Sequence, residues 1–230
     1  MMTERWKDYV TQGVQAAGGP IPFALSQWTF LFPIFSAIRR ALPSGGKVLD
    51  VGCGAGIFTA LLAHHGFQVV GVDEDPDIVA YAGEMVEYFR SHARVERASA
   101  FDLSPYYGQF DLVYSLGVIE HFDRQTSICL LQEQAKCSPL VLAVIPTKYT
   151  AYVARVTDER FYTFREFKKL FREAGFEILK SFVHCDVPSR LSTNLQRALP
   201  GAVHRFMQRQ LSYAIGQCCL GRWRRPALAG

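Results

Sequence analysis

The sequence predicts an α/β protein built around a parallel, doubly wound sheet, and three observations support that prediction. Short apolar runs alternate along the chain with longer segments whose apolar residues recur at helical spacing. Glycine or proline marks many boundaries between them, as is usual where strands and helices meet. Apolar residues make up 49% of the 230 residues and charged residues 20%, which is enough apolar material for a substantial core.

The strands are predicted from the short apolar runs and the helices from the amphipathic segments between them. The predicted strands are residues 47–51, 67–72, 95–98, 110–116, 140–145, 176–185 and 211–219. The predicted helices are residues 57–66, 77–90, 126–136 and 163–174. Gly66 and Gly175 are predicted to end two of these helices, and Pro76 to begin another.

The chain is predicted to form one domain with attachments. Residues 43–185 are its ligand-binding core, residues 1–42 a helical lid or substrate segment, and residues 186–230 a helical insertion, the last strand and a basic tail of the same domain. The apolar stretch at residues 21–38 is interrupted by prolines and polar residues. It therefore predicts an amphipathic or lid helix more than a membrane-spanning one, with membrane contact as the alternative.

Positive charge is concentrated at the C-terminal end. The net charge is +4, yet residues 186–230 carry seven arginines and one acid, a net of +6. Arginines of this kind usually form a solvated surface, and contact with anionic lipid or nucleic acid is the less favoured alternative. The six cysteines form no CxxC pair, and the charged start of the chain lacks the pattern of a secretion signal. We therefore predict reduced thiols, no metal site and a cytoplasmic location.

A glycine-rich turn after the first strand carries the functional signal. Residues 50–56 read DVGCGAG, so glycine stands at every second position behind a buried strand. Glycine lets the backbone turn tightly and approach a ligand closely, which makes Gly52, Cys53 and Gly54 candidate ligand-binding residues.

Two neighbours of this turn narrow the choice of ligand. A dinucleotide-binding turn needs a third glycine where Ile57 stands, and no Gly-Lys-Ser/Thr follows for a P-loop. Asp50 lies directly ahead of the glycines, where its charge would repel a pyrophosphate. The acid instead favours a ligand that carries positive charge and no phosphate, such as S-adenosylmethionine.

Further candidate residues follow the next three strands. Asp73 ends the second strand, where a carboxylate can accept hydrogen bonds from both hydroxyls of a ribose, and Glu74 beside it is an alternative acceptor. After the third strand, Asp102 can accept from an adenine amino group while Phe101 offers the ring an apolar face. The fourth strand ends in residues 115–122 (SLGVIEHF), at the crevice where parallel sheets bind ligands.

Together these motifs resemble those of class I S-adenosylmethionine-dependent methyltransferases, within the group that includes the ubiquinone and menaquinone methyltransferases. The resemblance runs from Val48 to about Phe182. It implies a Rossmann-like sheet of seven strands, mostly parallel, with helices on both faces and an antiparallel last strand. It also implies roles for the candidate residues. Backbone groups of Gly52 and Leu116 would hold the amino-acid end of the cofactor, Asp73 the ribose, and Asp102 with Phe101 the adenine. Ser115 is a further candidate cofactor-binding residue.

His121 is the candidate catalytic residue, because the motif places it at the crevice and histidine titrates near neutral pH. It would remove a proton from an acceptor hydroxyl. The alternative is that Glu120 and His121 orient the loop after the fourth strand.

Three functions remain open from the sequence. The first is methylation of a small apolar or aromatic acceptor at oxygen, carbon or nitrogen, with S-adenosylhomocysteine as the product. Four aromatic residues follow the fifth strand and could line such an acceptor site or simply pack in the protein: Tyr149, Tyr152, Phe161 and Tyr162. The second is methylation of nucleic acid or protein through the C-terminal arginines. The third is a catalytically inactive module that binds S-adenosylmethionine.

Overall fold

The structure is a computed structural model that describes residues 3–152, 160–211 and 213–224. Its strands are β1 (Gly46–Val51), β2 (Phe67–Asp73), β3 (Arg94–Arg97), β4 (Leu112–Leu116), β5 (Leu140–Pro146), β6 (Phe176–His184) and β7 (Gly216–Trp223). Its helices are α1 (Thr3–Ala16), α2 (Pro20–Ala41), α3 (Ile57–His64), α4 (Pro76–Tyr88), α5 (Arg124–Cys137), α6 (Phe164–Glu173), α7 (Arg190–Ala198) and α8 (Gly201–Leu211).

Across the described ranges the strands form one seven-stranded sheet in the order β3-β2-β1-β4-β5-β7-β6. Strands β1 to β5 pair in parallel, whereas β7 pairs antiparallel with both β5 and β6. Since β7 lies between β5 and β6, these two strands run in the same direction. The predicted fold class, a mostly parallel Rossmann-like sheet with an antiparallel last strand, is therefore confirmed.

The predicted position of the last strand, residues 211–219, is wrong at both ends. Helix α8 occupies the start of that segment, and β7 begins only at Gly216. The strand also extends beyond the predicted end because Gly221 leaves room for its neighbours. A Cβ at Gly221 would lie 2.9 Å from Cδ1 of Phe171 and 2.9 Å from Cβ of Phe176.

The segment between β6 and β7 folds as two helices, α7 and α8. Pro200 separates them, and its carbonyl accepts hydrogen bonds from the N–H groups of Val203 at 2.9 Å and His204 at 3.1 Å. Proline suits this position because its fixed φ favours the start of a helix. The carboxylate of Asp186 connects the two helices by accepting hydrogen bonds from the side chains of Gln196 on α7 and Gln208 on α8.

The core lies on both faces of the sheet. Helices α5 and α6 bury Leu131 and Phe167 against one face, and helices α2 and α3 bury Ile38 and Leu62 against the other. All four side chains are 0% exposed. Each such burial stabilises the fold by about 1.5–3 kcal/mol, so the two layers hold the strand ends in fixed positions.

The middle of helix α2 lies over the ends of β6 and β7. The ring of Phe30 is 4.7 Å from the ring of His184, and the thiol of Cys185 lies 3.3 Å from the carbonyl oxygen of Thr29. Gly216 fits beneath these rings only because it has no side chain: a Cβ there would lie 2.5 Å from Nε2 of His184. Helix α2 therefore covers one end of the crevice edge of the sheet, as a lid segment would.

His184 gives this packing a pH dependence. Its burial lowers the pKa of the imidazole from 6.5 to about 4. Among the described residues, its Nε2 has no hydrogen-bond partner. The ring is therefore neutral in the folded protein at pH 5, whereas the unfolded chain binds a proton there. A depressed imidazole pKa of this kind removes stability as the pH falls from 6.5 towards 4.

We expect the free energy of unfolding of the wild-type protein to fall by about 2 kcal/mol more between pH 7 and pH 5 than that of His184→Gln, because the variant lacks this protonation. Urea unfolding at the two pH values measures the difference. An identical pH dependence in both proteins would contradict the assignment of a buried, neutral His184.

Candidate functional site

The candidate site lies at the carboxyl ends of β1, β2 and β4. The register pairs Val51 with Val72 on one side and with Ser115 on the other. The residues that follow, among them Gly52 and Asp73, therefore leave the sheet side by side, about 4.8 Å apart from strand to strand. The structure thus brings together the motifs that the sequence placed after these strands.

The glycine turn adopts a backbone that only glycine takes easily. Its φ angles are +73° at Gly52, +52° at Gly54 and +68° at Gly56, all in the left-handed region. A Cβ at Gly52 would lie 2.4 Å from Val118 and one at Gly56 would lie 2.9 Å from Ala82. No atom lies within 4 Å of the corresponding point at Gly54. Two glycines therefore pack against protein, and the middle one faces open space.

Hydrogen bonds to the end of β2 hold the turn in place. The carbonyl of Val72 accepts from the N–H groups of Gly52 at 2.8 Å and Cys53 at 3.0 Å. The carboxylate of Asp73 accepts from the N–H of Gly54 at 3.2 Å. The carbonyl of Cys53 accepts from the N–H of Gly56 at 3.0 Å. The backbone of Cys53 is thus engaged within the protein, which favours a turn-shaping role for it over direct cofactor contact.

Asp50 is buried beneath the turn and is 3% exposed. It accepts hydrogen bonds from the hydroxyls of Thr59, at 2.5 Å, and Tyr114. Burial raises the pKa of its carboxyl from 3.8 to about 7, against the opposing effect of the two hydroxyls. The residue therefore anchors α3 and β4 to the start of the turn. A direct contact of Asp50 with the cofactor stays a prediction.

The three acids after β2 have different positions. Asp73 accepts from Gly54 through one oxygen and from the N–H of Asp75 through the other, and burial raises the pKa of its carboxyl. Asp75 caps α4 by accepting from the N–H of Asp77 at 2.8 Å. Glu74 is exposed and faces Ser99, whose Oγ lies 3.5 Å from its carboxylate. Of the three, Asp73 is the carboxylate that lies against the glycine turn.

An open hollow of about 610 Å³ lies beyond these acids, between the ends of β2 and β3. Its lining residues are Glu74, Asp75, Pro76, Arg97, Ala98 and Ser99. The side chain of Arg97 crosses from β3 and donates from Nε to the carbonyl of Glu74 at 3.0 Å. The hollow begins at Glu74, the residue after Asp73. If the ribose lies on Asp73 as predicted, the adenine would lie towards this hollow.

The predicted adenine residues are accessible. Phe101 is 49% exposed, and its ring meets the ring of Phe122 edge-on at 5.2 Å. Asp102 is exposed, and the side chain of Ser104 together with its backbone N–H, which donates at 3.1 Å, lowers the pKa of the Asp102 carboxyl. Asp102 thus caps a turn and leaves capacity for a second acceptor bond. Sequence analysis missed the aromatic wall that Phe122 adds, although this residue belongs to the fourth motif.

The side chain of Ser115 packs against α5, and a role of Ser115 in cofactor binding stays a prediction. Its side chain is buried, and its Oγ lies 3.4 Å from Oε1 of Gln134 on α5. The alternation of side chains along β4 turns Ser115 away from the crevice, so its hydroxyl cannot serve the cofactor and only its backbone can. The half-buried Leu116 follows it at the strand end, and the N–H of Gly117 then donates to the carbonyl of Val144 at 3.0 Å.

His121 ends the short 3₁₀ turn Ile119–His121 that follows β4. Both ring nitrogens are shielded from solvent. Glu120 is 1% exposed, and its carbonyl accepts from the N–H of Arg160 at 2.8 Å. The turn is therefore tied to the segment that leads into α6. This geometry is compatible with both sequence interpretations of His121, as a base and as a loop-positioning residue.

Sequence relatives point to one kind of domain. Residues 48–137 match the family described as methyltransferase domain. The ubiquinone biosynthesis O-methyltransferase of Xanthomonas axonopodis pv. citri is 30% identical over 149 residues, 56% of this chain and 59% of that enzyme. The ribosomal RNA small subunit methyltransferase C of Alcanivorax borkumensis is 40% identical over 68 residues, 30% of this chain and 20% of that enzyme. The chain thus spans less than two thirds of the length of these relatives.

Solved structures share the fold. A protein from Pyrococcus horikoshii OT3 superposes with a TM-score of 0.63 at 17% identity, over 86% of this chain and 90% of that chain. Magnesium protoporphyrin IX methyltransferase from Synechocystis PCC 6803, solved with bound S-adenosylmethionine, gives 0.61 at 15% identity, over 89% of this chain and 82% of that one. At these identities the likeness concerns the fold, and it agrees with the Rossmann-like sheet described above.

Proposed function

We propose that this chain, which belongs to the class I S-adenosylmethionine-dependent methyltransferases, methylates a small apolar or aromatic acceptor. The family and its cofactor are those that the motifs predicted. The observation that carries the proposal is the open face of Gly54 in a left-handed turn that is bonded to Asp73. A ligand can approach the backbone closely there and reach a carboxylate at the same time.

The residues at the strand ends fit this cofactor. Backbone groups of Gly52 and Leu116 would hold its amino-acid end, and Asp73 would accept hydrogen bonds from its ribose hydroxyls. Phe101 and Asp102 would hold its adenine. When bound, the cofactor supplies an electrophilic methyl group on a sulfonium. The protein then has to position an acceptor atom about 3 Å from that methyl and exclude water.

The acceptor class is inferred from the far side of the crevice. Tyr149 follows β5, and its ring packs edge-on against the ring of Tyr213, with 4.8 Å between the centroids. Phe161 lies just ahead of α6 and is 45% exposed. Aromatic side chains of this kind suit an apolar or aromatic molecule. Ubiquinone O-methyltransferase relatives support methylation at oxygen, for which a base is needed. We assign that role to His121 and place the enzyme in the cytoplasm.

Methylation of nucleic acid is the second candidate function. It is favoured by ribosomal RNA methyltransferases among the relatives and by the exposed arginines Arg197, Arg205 and Arg209. Such an enzyme would bind RNA with an affinity that falls steeply as salt is added.

The cofactor site is tested by Asp73→Ala, with Glu74→Ala as the matched control on the next residue. Loss of charge-assisted hydrogen bonds to the ribose should weaken S-adenosylhomocysteine binding about tenfold to a hundredfold in Asp73→Ala. Glu74 faces Ser99 instead, so Glu74→Ala should bind within about threefold of the wild type. Isothermal titration calorimetry measures both. Unchanged affinity in Asp73→Ala would refute the assignment of this carboxylate to the ribose.

The activity is tested by incubating the protein with cofactor labelled in its methyl group and a fractionated cell extract. We expect the label in a small apolar molecule, identified by mass spectrometry. His121→Ala should slow this transfer about a hundredfold or more at saturating acceptor without changing cofactor affinity, whereas the exposed His92→Ala should not.

Each other outcome of this experiment is decisive. Label in RNA would establish the second candidate function in place of the first. Cofactor binding without label in any fraction would indicate an inactive binding module. An unchanged rate in His121→Ala would leave this histidine a loop-positioning residue.

A further inference from the structure

Helix α2 carries a second row of apolar residues beside the face that packs on the sheet. Residues 21, 25, 28, 32 and 35 recur at alternating spacings of four and three and so form one stripe along the helix. We call this the outer stripe; its members are Ile21, Leu25, Trp28, Phe32 and Phe35. Ile21 is 51% exposed, Leu25 69% and Phe32 50%, whereas Trp28 and Phe35 are half-buried against the core. Large apolar side chains aligned in this way mark an interaction surface more than chance exposure.

The C-terminal half of the outer stripe is an aromatic cluster. The ring of Trp28 lies 5.8 Å from those of Phe32 and Phe35, and it stacks on the ring of His65 at 6.2 Å. Arg39 follows further along the same helix, and its guanidinium lies 4.3 Å from the centroid of the Phe67 ring. Tryptophan and other aromatic rings next to arginine are typical of the boundary between a bilayer and water.

The inner face of the same helix is part of the protein core. In length and composition, α2 is the one helix in the described ranges that could span a membrane. Its inner face, however, buries Leu31, Ile34 and Ile38 in the core beside the sheet. Extraction of α2 would expose that core, so only its outer stripe is available to a partner. Helix α2 contains no acidic residue, and Arg39 and Arg40 lie in its last turn.

Helix α8 repeats these properties. Its exposed apolar residues are Val203 at 43%, Phe206 at 61% and Leu211 at 60%. Arg205 and Arg209 are exposed on the same helix. Neither α7 nor α8 contains an acidic residue. An acid-free helix with exposed apolar and arginine side chains fits an anionic lipid surface.

Two consecutive residues after β6 contact α2 and α8. The thiol of Cys185 lies 3.3 Å from the carbonyl oxygen of Thr29 in the middle of α2. The carboxylate of Asp186, the next residue, accepts from the side chain of Gln208 on α8 and lies 3.8 Å from Nε2 of His204. Consecutive Cα atoms are about 3.8 Å apart, so the contact with α2 and the contact with α8 lie close together at this point of the crevice edge.

We propose that α2 and α8 together bind the surface of an anionic lipid bilayer. The exposed apolar side chains would enter the boundary between headgroups and acyl chains, and the arginines would pair with lipid phosphates. This charge pattern argues against a second copy of the chain as the occupant. In a pairing of two copies through these helices, neither helix would supply an acid to neutralise the arginines of the other.

The bilayer would then lie against the crevice edge at β6 and β7. An apolar acceptor dissolved in the bilayer would reach the crevice without crossing water. This consequence rests on the proposed function, whereas the binding itself does not.

Co-sedimentation with vesicles tests the proposal, using phosphatidylcholine alone and phosphatidylcholine with phosphatidylglycerol. We expect the wild-type chain to bind the anionic vesicles, to bind the neutral ones more weakly, and to be released by salt. The double variant Leu25→Glu and Phe32→Glu should reduce binding about tenfold or more. The double variant Arg205→Gln and Arg209→Gln should also reduce binding about tenfold or more, and the binding that remains should depend less on salt than that of the wild type.

Matched controls lie at the opposite edge of the sheet, where α4 adjoins β3. Tyr88→Glu introduces a charge at a 52% exposed helical residue, and the double variant Arg90→Gln and Arg94→Gln removes two exposed cations. Both should bind vesicles as the wild type does. Absence of binding to anionic vesicles, equal binding by all variants, or equal binding to neutral vesicles would overturn the proposal. So would a dimer in light scattering that dissociates on Leu25→Glu and Phe32→Glu without any effect of lipid.

Discussion

The hydrogen bonds between the glycine turn and the end of β2 are the interaction on which the site depends. The N–H groups of Gly52 and Cys53 donate to Val72, and that of Gly54 donates to Asp73. They fix the turn in a left-handed conformation and place the open face of Gly54 beside a carboxylate. The parallel pairing of β1 with β2 makes these bonds possible, and the two helical layers hold that pairing in place. The sheet therefore acts as the support for one short turn.

Much of this arrangement was predictable from the sequence because it depends on local patterns. The strand ends, the glycine turn and the order of the motifs follow from apolar runs bounded by glycine, and the structure places Asp73 at the turn as predicted. Side-chain direction was harder to predict. Ser115 turns away from the crevice because the alternation of side chains along β4 directs it towards Gln134 on α5. Asp50 accepts from Thr59 and from Tyr114, and Tyr114 comes from a distant part of the chain.

The C-terminal part was less predictable for a different reason. The start of β7 depends on where α8 ends, and its continuation depends on the fit of Gly221 against Phe171 and Phe176. Those contacts join residues far apart in sequence, so no local pattern reveals them. Helix α2 is similar: its composition suits a membrane, but only the fold shows that one face is buried while Ile21, Leu25 and Phe32 of the outer stripe stay exposed. The contacts of Cys185 and Asp186 bring the middle of α2 and helix α8 close together at the crevice edge.

The most direct test of the account separates the ligand-facing glycine from the packed one. Gly54→Ala and Gly56→Ala share the cost of a left-handed φ, about 1 kcal/mol or more each. Only the methyl at position 56 meets protein, 2.9 Å from Ala82, whereas the methyl at position 54 points into open space. Calorimetric titration with S-adenosylhomocysteine, alongside urea unfolding, should show that Gly54→Ala loses cofactor affinity at little further cost in stability, while Gly56→Ala loses stability. Full cofactor affinity in Gly54→Ala would contradict the claim that the cofactor lies on this turn.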